Sequence, residues 1–155
     1  MSIKITKAMN IDEALKANEF LTRLILDEKQ YDNNINENCI IKSFYEDKFA
    51  DKNNCLLIAK KEDIIVGYLY GYVVNNGDTY LTKMSKIDAM FVEESNRNLK
   101  IATLLIETFK NWSIDKCCQY IEVTVFKSNI AAYNLYKQFE FKDTKSIMSL
   151  DLGEY

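Results

Sequence analysis

The chain has 155 residues, 48% of them hydrophobic and 28% charged, with a formal net charge of −3 and no histidine. That length fits one domain and is enough to bury about 70% of the unfolded surface. The balance of charge leaves no broad basic field for nucleic acid or an acidic membrane. Without histidine there is no histidine-containing zinc site and no serine or cysteine nucleophile served by a histidine base.

No run approaches the ~20 consecutive apolar residues of a membrane span. The stretch from Met1 to Asn10 lacks the apolar region of a signal peptide. Cys39, Cys55, Cys117 and Cys118 form no CxxC pair. The expectation is a cytoplasmic, reduced and metal-free protein, with 1–155 as a single domain and neither nucleic acid nor membrane as partner.

Ile3 to Ala8 alternates like a short strand. Asn10 then reads as an N-cap with Glu13 as its capping-box partner. Ile11, Ala14, Leu15, Leu21, Leu24 and Ile25 keep helical spacing to about Glu28. After the polar stretch YDNNINEN, a second helix is expected from about Glu37 to Ala50, carrying Ile40, Ile41, Phe44, Tyr45 and Phe49. Leu56 to Lys60 and Ile64 to Asn75 read as strands around a Lys61-Glu62-Asp63 turn, with Gly67 and Gly71 marking a bulge or a close backbone approach. Asn76-Gly77-Asp78 is a turn signal, and strand resumes between Tyr80 and Val92. A helix from Arg97 to about Asp115 follows, then a strand (Tyr120 to Phe126), a helix (Asn129 to Gln138) and terminal strands near Phe141 and Ile147 to Leu152. Helices set among strands imply an α/β sheet of mixed direction, and the two strand-helix-strand passages imply locally parallel pairs.

Two segments resemble the GCN5-related N-acetyltransferases. MFVEESNRNLKIATLLIETF is similar to the segment in which that family ends a strand and opens a helix through Arg/Gln-x-x-Gly-x-Gly/Ala. Here the pattern falls on Arg97, Asn98, Leu99, Lys100, Ile101 and Ala102. NIAAYNLYKQFEFK is similar to the family's Asn-x-x-Ala-x-x-Leu-Tyr-x-x-x-Gly-Phe, with Asn129, Ala132, Leu135, Tyr136 and Phe141 in place. IIVGYLYG resembles its third strand, with Gly67 as the glycine. Lys100 and Glu140 stand where the family has glycine. The resemblance implies a GNAT-like mixed central sheet of about six or seven strands flanked by about four helices.

It also implies chemistry. A helix N-terminus offers unpaired N–H groups and a partial positive charge to a diphosphate. Arg97, Asn98, Leu99, Lys100, Ile101, Ala102 and Thr103 are therefore the expected coenzyme A loop, with Lys100 giving up glycine's conformational freedom for a charge. Pantetheine would lie along the edge of Met90, Phe91 and Val92, where an N–H of Phe91 or a neighbour would polarise the thioester. Asn129 would cap its helix or touch the pantetheine. An alkylamine is almost wholly protonated at neutral pH, so Asp88, Glu122 or an ordered water must take its proton. Tyr136 sits at the family's general-acid position. The cysteines have nothing to activate them, which favours direct attack over an acyl-enzyme.

The implied function is an N-acetyltransferase moving acetyl from acetyl-CoA to a primary amine, small molecule or peptide. The alternative is a weak or inactive CoA-binding regulatory module. A homodimer is compatible with the resemblance. The aromatics Tyr31, Tyr45, Tyr68, Tyr70, Tyr72 and Tyr80 could line a cation-holding cleft or serve as core.

Overall fold

The computed structural model describes residues 2–153, so residues 1, 154 and 155 of the expected domain lie outside the described residues. Strand β1 (Ile3–Lys7) leads into helix α1 (Ile11–Glu28). The Asn10 side chain accepts the Glu13 N–H at 2.9 Å and donates to the Glu13 carboxylate at 3.3 Å, the expected capping box. Strands β2 (Asn54–Lys61), β3 (Ile64–Val73) and β4 (Met84–Val92) follow. A 3₁₀ turn (Glu94–Asn96), helix α2 (Ile101–Asp115), strand β5 (Tyr120–Val123) and helix α3 (Ile130–Gln138) complete the order.

The five strands lie side by side in the order β1-β2-β3-β4-β5. The first three pairings are antiparallel and β4–β5 is parallel, across the right-handed type of crossover that α2 supplies. This is an α/β fold on one mixed sheet, with fewer elements than the sequence suggested: five strands and three α-helices among the described residues.

The expected helix at 37–50 is instead a chain of turns. Its backbone groups are bonded across to α1: the Tyr45 N–H donates to Asn18 Oδ1 at 3.0 Å and the Ile41 N–H donates to Thr22 Oγ1 at 2.9 Å. Asn18 also donates to the Glu46 carboxylate. Those partners replace intrahelical bonds and leave Phe44 and Tyr45 free to enter the core. The strand expected from Tyr80 begins only at Met84, and residues 76–83 form the loop before it.

The α1 face of the sheet is aromatic. Phe20, Tyr45, Tyr68, Tyr70, Ala89 and Phe91 are buried together there. Tyr45 and Tyr68 join their hydroxyls at 3.0 Å. The other face takes α2 through Leu105, Ile106 and Phe109, all buried. A Cβ on Gly71 would stand 2.3 Å from the Phe109 ring and 2.6 Å from the Lys86 carbonyl, so that ring packs directly on backbone. Ser85 and Ser113 close the layer with a buried hydroxyl pair at 2.7 Å.

From Val125 onward the chain forms a second compact unit. Asn129 caps α3 by accepting the Ala132 N–H at 3.3 Å, and Phe141 packs its ring 5.4 Å from that of Tyr136. Tyr133 donates to Asp143 at 2.7 Å, with Lys137 at 3.7 Å. The terminal strands expected at Phe141 and at 147–152 do not form. Ile147, Met148 and Leu150 are 86%, 92% and 82% exposed, and without a ladder partner a strand-like sequence has nothing to pair with. Only one of the two expected parallel passages is therefore realised.

Candidate active site

The central feature is a strand that parts from its neighbour. β4 and β5 pair only from Met84↔Tyr120 to Ile87↔Val123, while β4 continues beside β3 to Val92↔Gly67. The parting coincides with a bulge: Tyr70 opposes Ala89 and Gly71 opposes Ile87, which leaves Asp88 without a ladder partner. Bulges bend and twist the strand that carries them, so the extra residue both ends the pairing with β5 and turns a carboxylate out of the ladder.

Past the bulge, β4 presents a bare backbone edge. The Glu93 N–H donates inward to the Val66 carbonyl at 2.8 Å. Backbone groups alternate sides along a strand, so Phe91 also points inward, and the outward N–H groups are those of Met90 and Val92. The sequence had favoured Phe91 or a neighbour; Phe91 itself faces β3 and packs its ring 5.2 Å from Phe20. A Cβ at Gly67 would come within 2.9 Å of the Phe91 carbonyl, so glycine lets β3 hold this edge close.

The loop after β4 has two residues in the left-handed region, Asn98 (φ 66) and Lys100 (φ 62, ψ 22). Lysine was expected to forgo glycine's conformation at this position. It adopts that conformation instead, at a cost of about 1–2 kcal/mol. Its carbonyl accepts the first helical bond, from Leu104 at 3.1 Å, and its side chain caps nothing. The N–H groups of Ile101, Ala102 and Thr103 have no acceptor among the described residues. Leu99 is exposed while Ile101 anchors the turn in the core.

Arg97 is placed differently from a free phosphate ligand. Its Nε donates to the Val92 carbonyl at 2.9 Å, and its guanidinium lies 3.5 Å from Asp27 and 5.6 Å from the Phe91 ring centroid. It fastens the loop to the end of β4 and occupies one acceptor of the bare edge. Lys100, exposed and in no ion pair among the described residues, is the loop cation left facing solvent.

On the α1 face the register sets Tyr72, Lys86 and Glu122 in one row across β3, β4 and β5. Tyr70 and the bulged Asp88 lie beside that row. The Tyr70 and Tyr72 rings are 5.9 Å apart, and Tyr70 meets Tyr45 at 5.0 Å and Phe44 at 6.2 Å. Desolvation pushes the Asp88 carboxyl above the usual carboxylate range, with Lys86 pulling the other way. Burial, then Asp88, push Tyr70 up to about 12. Tyr72 is raised by burial, by Asp88 and by Glu122, so both candidate bases reach one phenol.

Tyr136, buried in α3, and Asn129, its cap, belong to the second unit. Glu140 also takes a positive φ of 68°, so both positions where the sequence departs from family glycine keep a glycine-like backbone. Burial pushes the Cys55 thiol up to about 12 and desolvation raises that of Cys118, which makes neither a ready nucleophile. Lys86 and the Asp88 bulge were missed in the sequence. The alternation of MSKIDAMFV, which puts Ser85 and Ile87 on one face and Ala89 and Phe91 on the other, was the available signal.

A strand that leaves its parallel neighbour, followed by a left-handed turn and a helix head of unpaired N–H groups, defines a fold built to take an extended, anion-tailed ligand. The acetyltransferase (GNAT) family profile matches residues 18–141, and the chain belongs to that family. It is 28% identical over 93 residues to MJ1530, an uncharacterized N-acetyltransferase of Methanocaldococcus jannaschii; the match covers 59% of this chain and 55% of the relative's length. Its fold is similar to a mutant of the BH1408 protein from Bacillus halodurans, with TM-score 0.79, 19% identity and coverage of 98% and 99% of the two chains. It is also similar to AAC(6')-Iy in complex with the bisubstrate analog CoA-S-monomethyl-acetylneamine, with TM-score 0.71, 16% identity and coverage of 97% and 98%. A ribosomal-protein-alanine N-acetyltransferase from Brucella melitensis gives TM-score 0.67 at 16% identity over 98% and 100% of the chains. At these identities the structural likeness is one of fold. Among the described residues no helix is long and apolar enough to cross a membrane.

Proposed function

We propose that the chain is an N-acetyltransferase that moves an acetyl group from acetyl-CoA to a primary amine by direct attack. The observation that carries this reading is the parting of β4 from β5 after Ile87, set beside a helix head with three unpaired N–H groups. An amide chain fits the first and a diphosphate the second. The complex of AAC(6')-Iy with a CoA-linked analog supports the same assignment by analogy of fold.

Acetyl-CoA supplies the activated acyl thioester. Ile101, Ala102 and Thr103 hold the diphosphate by backbone N–H, with Lys100 adding charge. The outward N–H groups of Met90 and Val92 align the amide chain and polarise the carbonyl oxygen. Asp88 receives the acceptor's proton: desolvation has raised its affinity for one. Glu122, in the row beside Lys86, holds the cationic acceptor near the tyrosines. Tyr136 returns a proton to the departing sulfur, an assignment carried by its motif rather than by its location. Asn129 fixes the start of the helix that bears Tyr136.

Thermal unfolding with and without acetyl-CoA tests the reading. At about a hundred times the dissociation constant, binding adds ~2.7 kcal/mol, a rise of roughly 5–10 °C. Release of thiol on adding amines would then establish turnover. Stabilisation without thiol release would assign the chain to CoA binding alone, the outcome that Lys100 and Glu140 favour. No stabilisation at millimolar acetyl-CoA would refute the proposal.

A further inference from the structure

Among the acids and phenols of the α1 face stands one cation. The register places Lys86 directly between Tyr72 and Glu122, and the bulge turns Asp88 to the same face two residues on. Lys86 is half-buried, and its ammonium makes no ion pair or hydrogen bond among the described residues, although its charge is felt at Asp88. Two carboxylates against one ammonium leave a single negative charge uncompensated. The ring faces of Tyr70 and Tyr72 can hold a cation beside them.

We propose that Lys86 is a specificity-determining residue, a resident cation that limits the acceptor to amines presenting one ammonium to this face. The inference rests on the transferase reading and adds the charge class of the acceptor to it. An amine with one ammonium meets the one unbalanced carboxylate charge. A second ammonium close to the first would have to share the row with Lys86, and like charges in a partly desolvated cluster repel. A site selects as much by what it repels as by what it holds. With Lys86 neutral, both carboxylates become free for a diamine.

The test compares equilibrium binding of benzylamine and 3-(aminomethyl)benzylamine, two probes of one shape and different charge, by titration calorimetry at low salt. The parent is run beside Lys86→Met, Lys86→Gln and Lys86→Arg. In both neutral variants the affinity ratio is expected to move toward the diamine by about fivefold, the scale of one partly screened charge contact. Lys86→Arg keeps the parent ratio. An unchanged ratio in the neutral variants, an equal shift in Lys86→Arg, or no saturable binding of either amine to any variant would overturn the proposal. Because the readout is amine binding without turnover, failure of the transferase reading shows separately, as absence of acetyl-CoA stabilisation and of thiol release.

Discussion

Replacing Lys100 separates what its backbone does from what its charge does. At φ 62 and ψ 22 it occupies the left-handed region, which costs an L-residue about 1–2 kcal/mol. Glycine removes that strain but widens the unfolded ensemble by about 0.4–1 kcal/mol. Its side chain caps nothing, so Lys100→Gly loses no bond. The net is a gain of about 0.5–1 kcal/mol, or about 1–4 °C in Tm for a chain of this size. The N–H groups of Ile101 to Thr103 keep their direction, so CoA affinity stays within about threefold. Lys100→Glu reverses a charge within the first turn of α2. Each end of that reversal is worth about 0.3–1 kcal/mol, so CoA binding weakens by about 3–30-fold at low salt and recovers as salt screens it. An acid at a helix N-terminus favours the helix itself, so this variant gains stability while losing affinity. Denaturant unfolding and equilibrium CoA titration, each at two salt concentrations, read both quantities. Parent affinity in Lys100→Glu, or a less stable Lys100→Gly, would refute the reasoning.

Gly71→Ala drives a methyl into the Phe109 ring and the Lys86 carbonyl; a loss of about 2–3 kcal/mol is expected in urea unfolding. Asp88→Asn should lower kcat by about 10²–10⁴-fold and abolish the acidic limb of the parent pH–rate profile, which lies above the usual carboxylate range because desolvation raises this group. The same substitution should stabilise the fold at neutral pH. The native state binds the Asp88 proton more tightly than the unfolded chain, so stability is lost as pH rises from the unfolded to the folded value, and the two proteins converge below the ordinary carboxylate range. Tyr136→Phe should lower kcat by about 10²-fold with acceptor KM little changed, as measured by initial rates of thiol release. Asn129→Ala removes the cap on α3 and should cost about 1 kcal/mol, read by thermal unfolding.

The elements legible in the sequence were those whose pattern answers to their own neighbours. The Asn10–Glu13 box, the spacing of α1 and the strands flanking the Lys61-Glu62-Asp63 turn all carry local signals, and all appear close to their expected bounds. The 37–50 segment has helical spacing too, but Asn18 and Thr22, some twenty residues earlier, claim its backbone groups. Periodicity holds no trace of such a long-range claim. The 147–152 segment failed from the other side: a strand needs a partner, and its own sequence does not say whether one is present. At the candidate site the loop was legible as a motif, while its conformation was not, since propensity argues against a lysine at positive φ. Arg97 read as a phosphate ligand because its neighbours Val92 and Asp27 are brought to it only by folding.

The bulge divides β4 into stretches under different evolutionary constraint. Residues before and after it answer to cross-strand partners and to packed layers, so any exchange there disturbs a neighbour. Asp88 alone in the strand has no opposite number. Its side chain can be exchanged without shifting the register of Met90 and Val92 or unseating Phe91. A lineage can therefore retune the proton acceptor and the acceptor's charge at this single position while the edge next door stays fixed, which makes the site divisible into a conserved donor half and a freely drifting acceptor half.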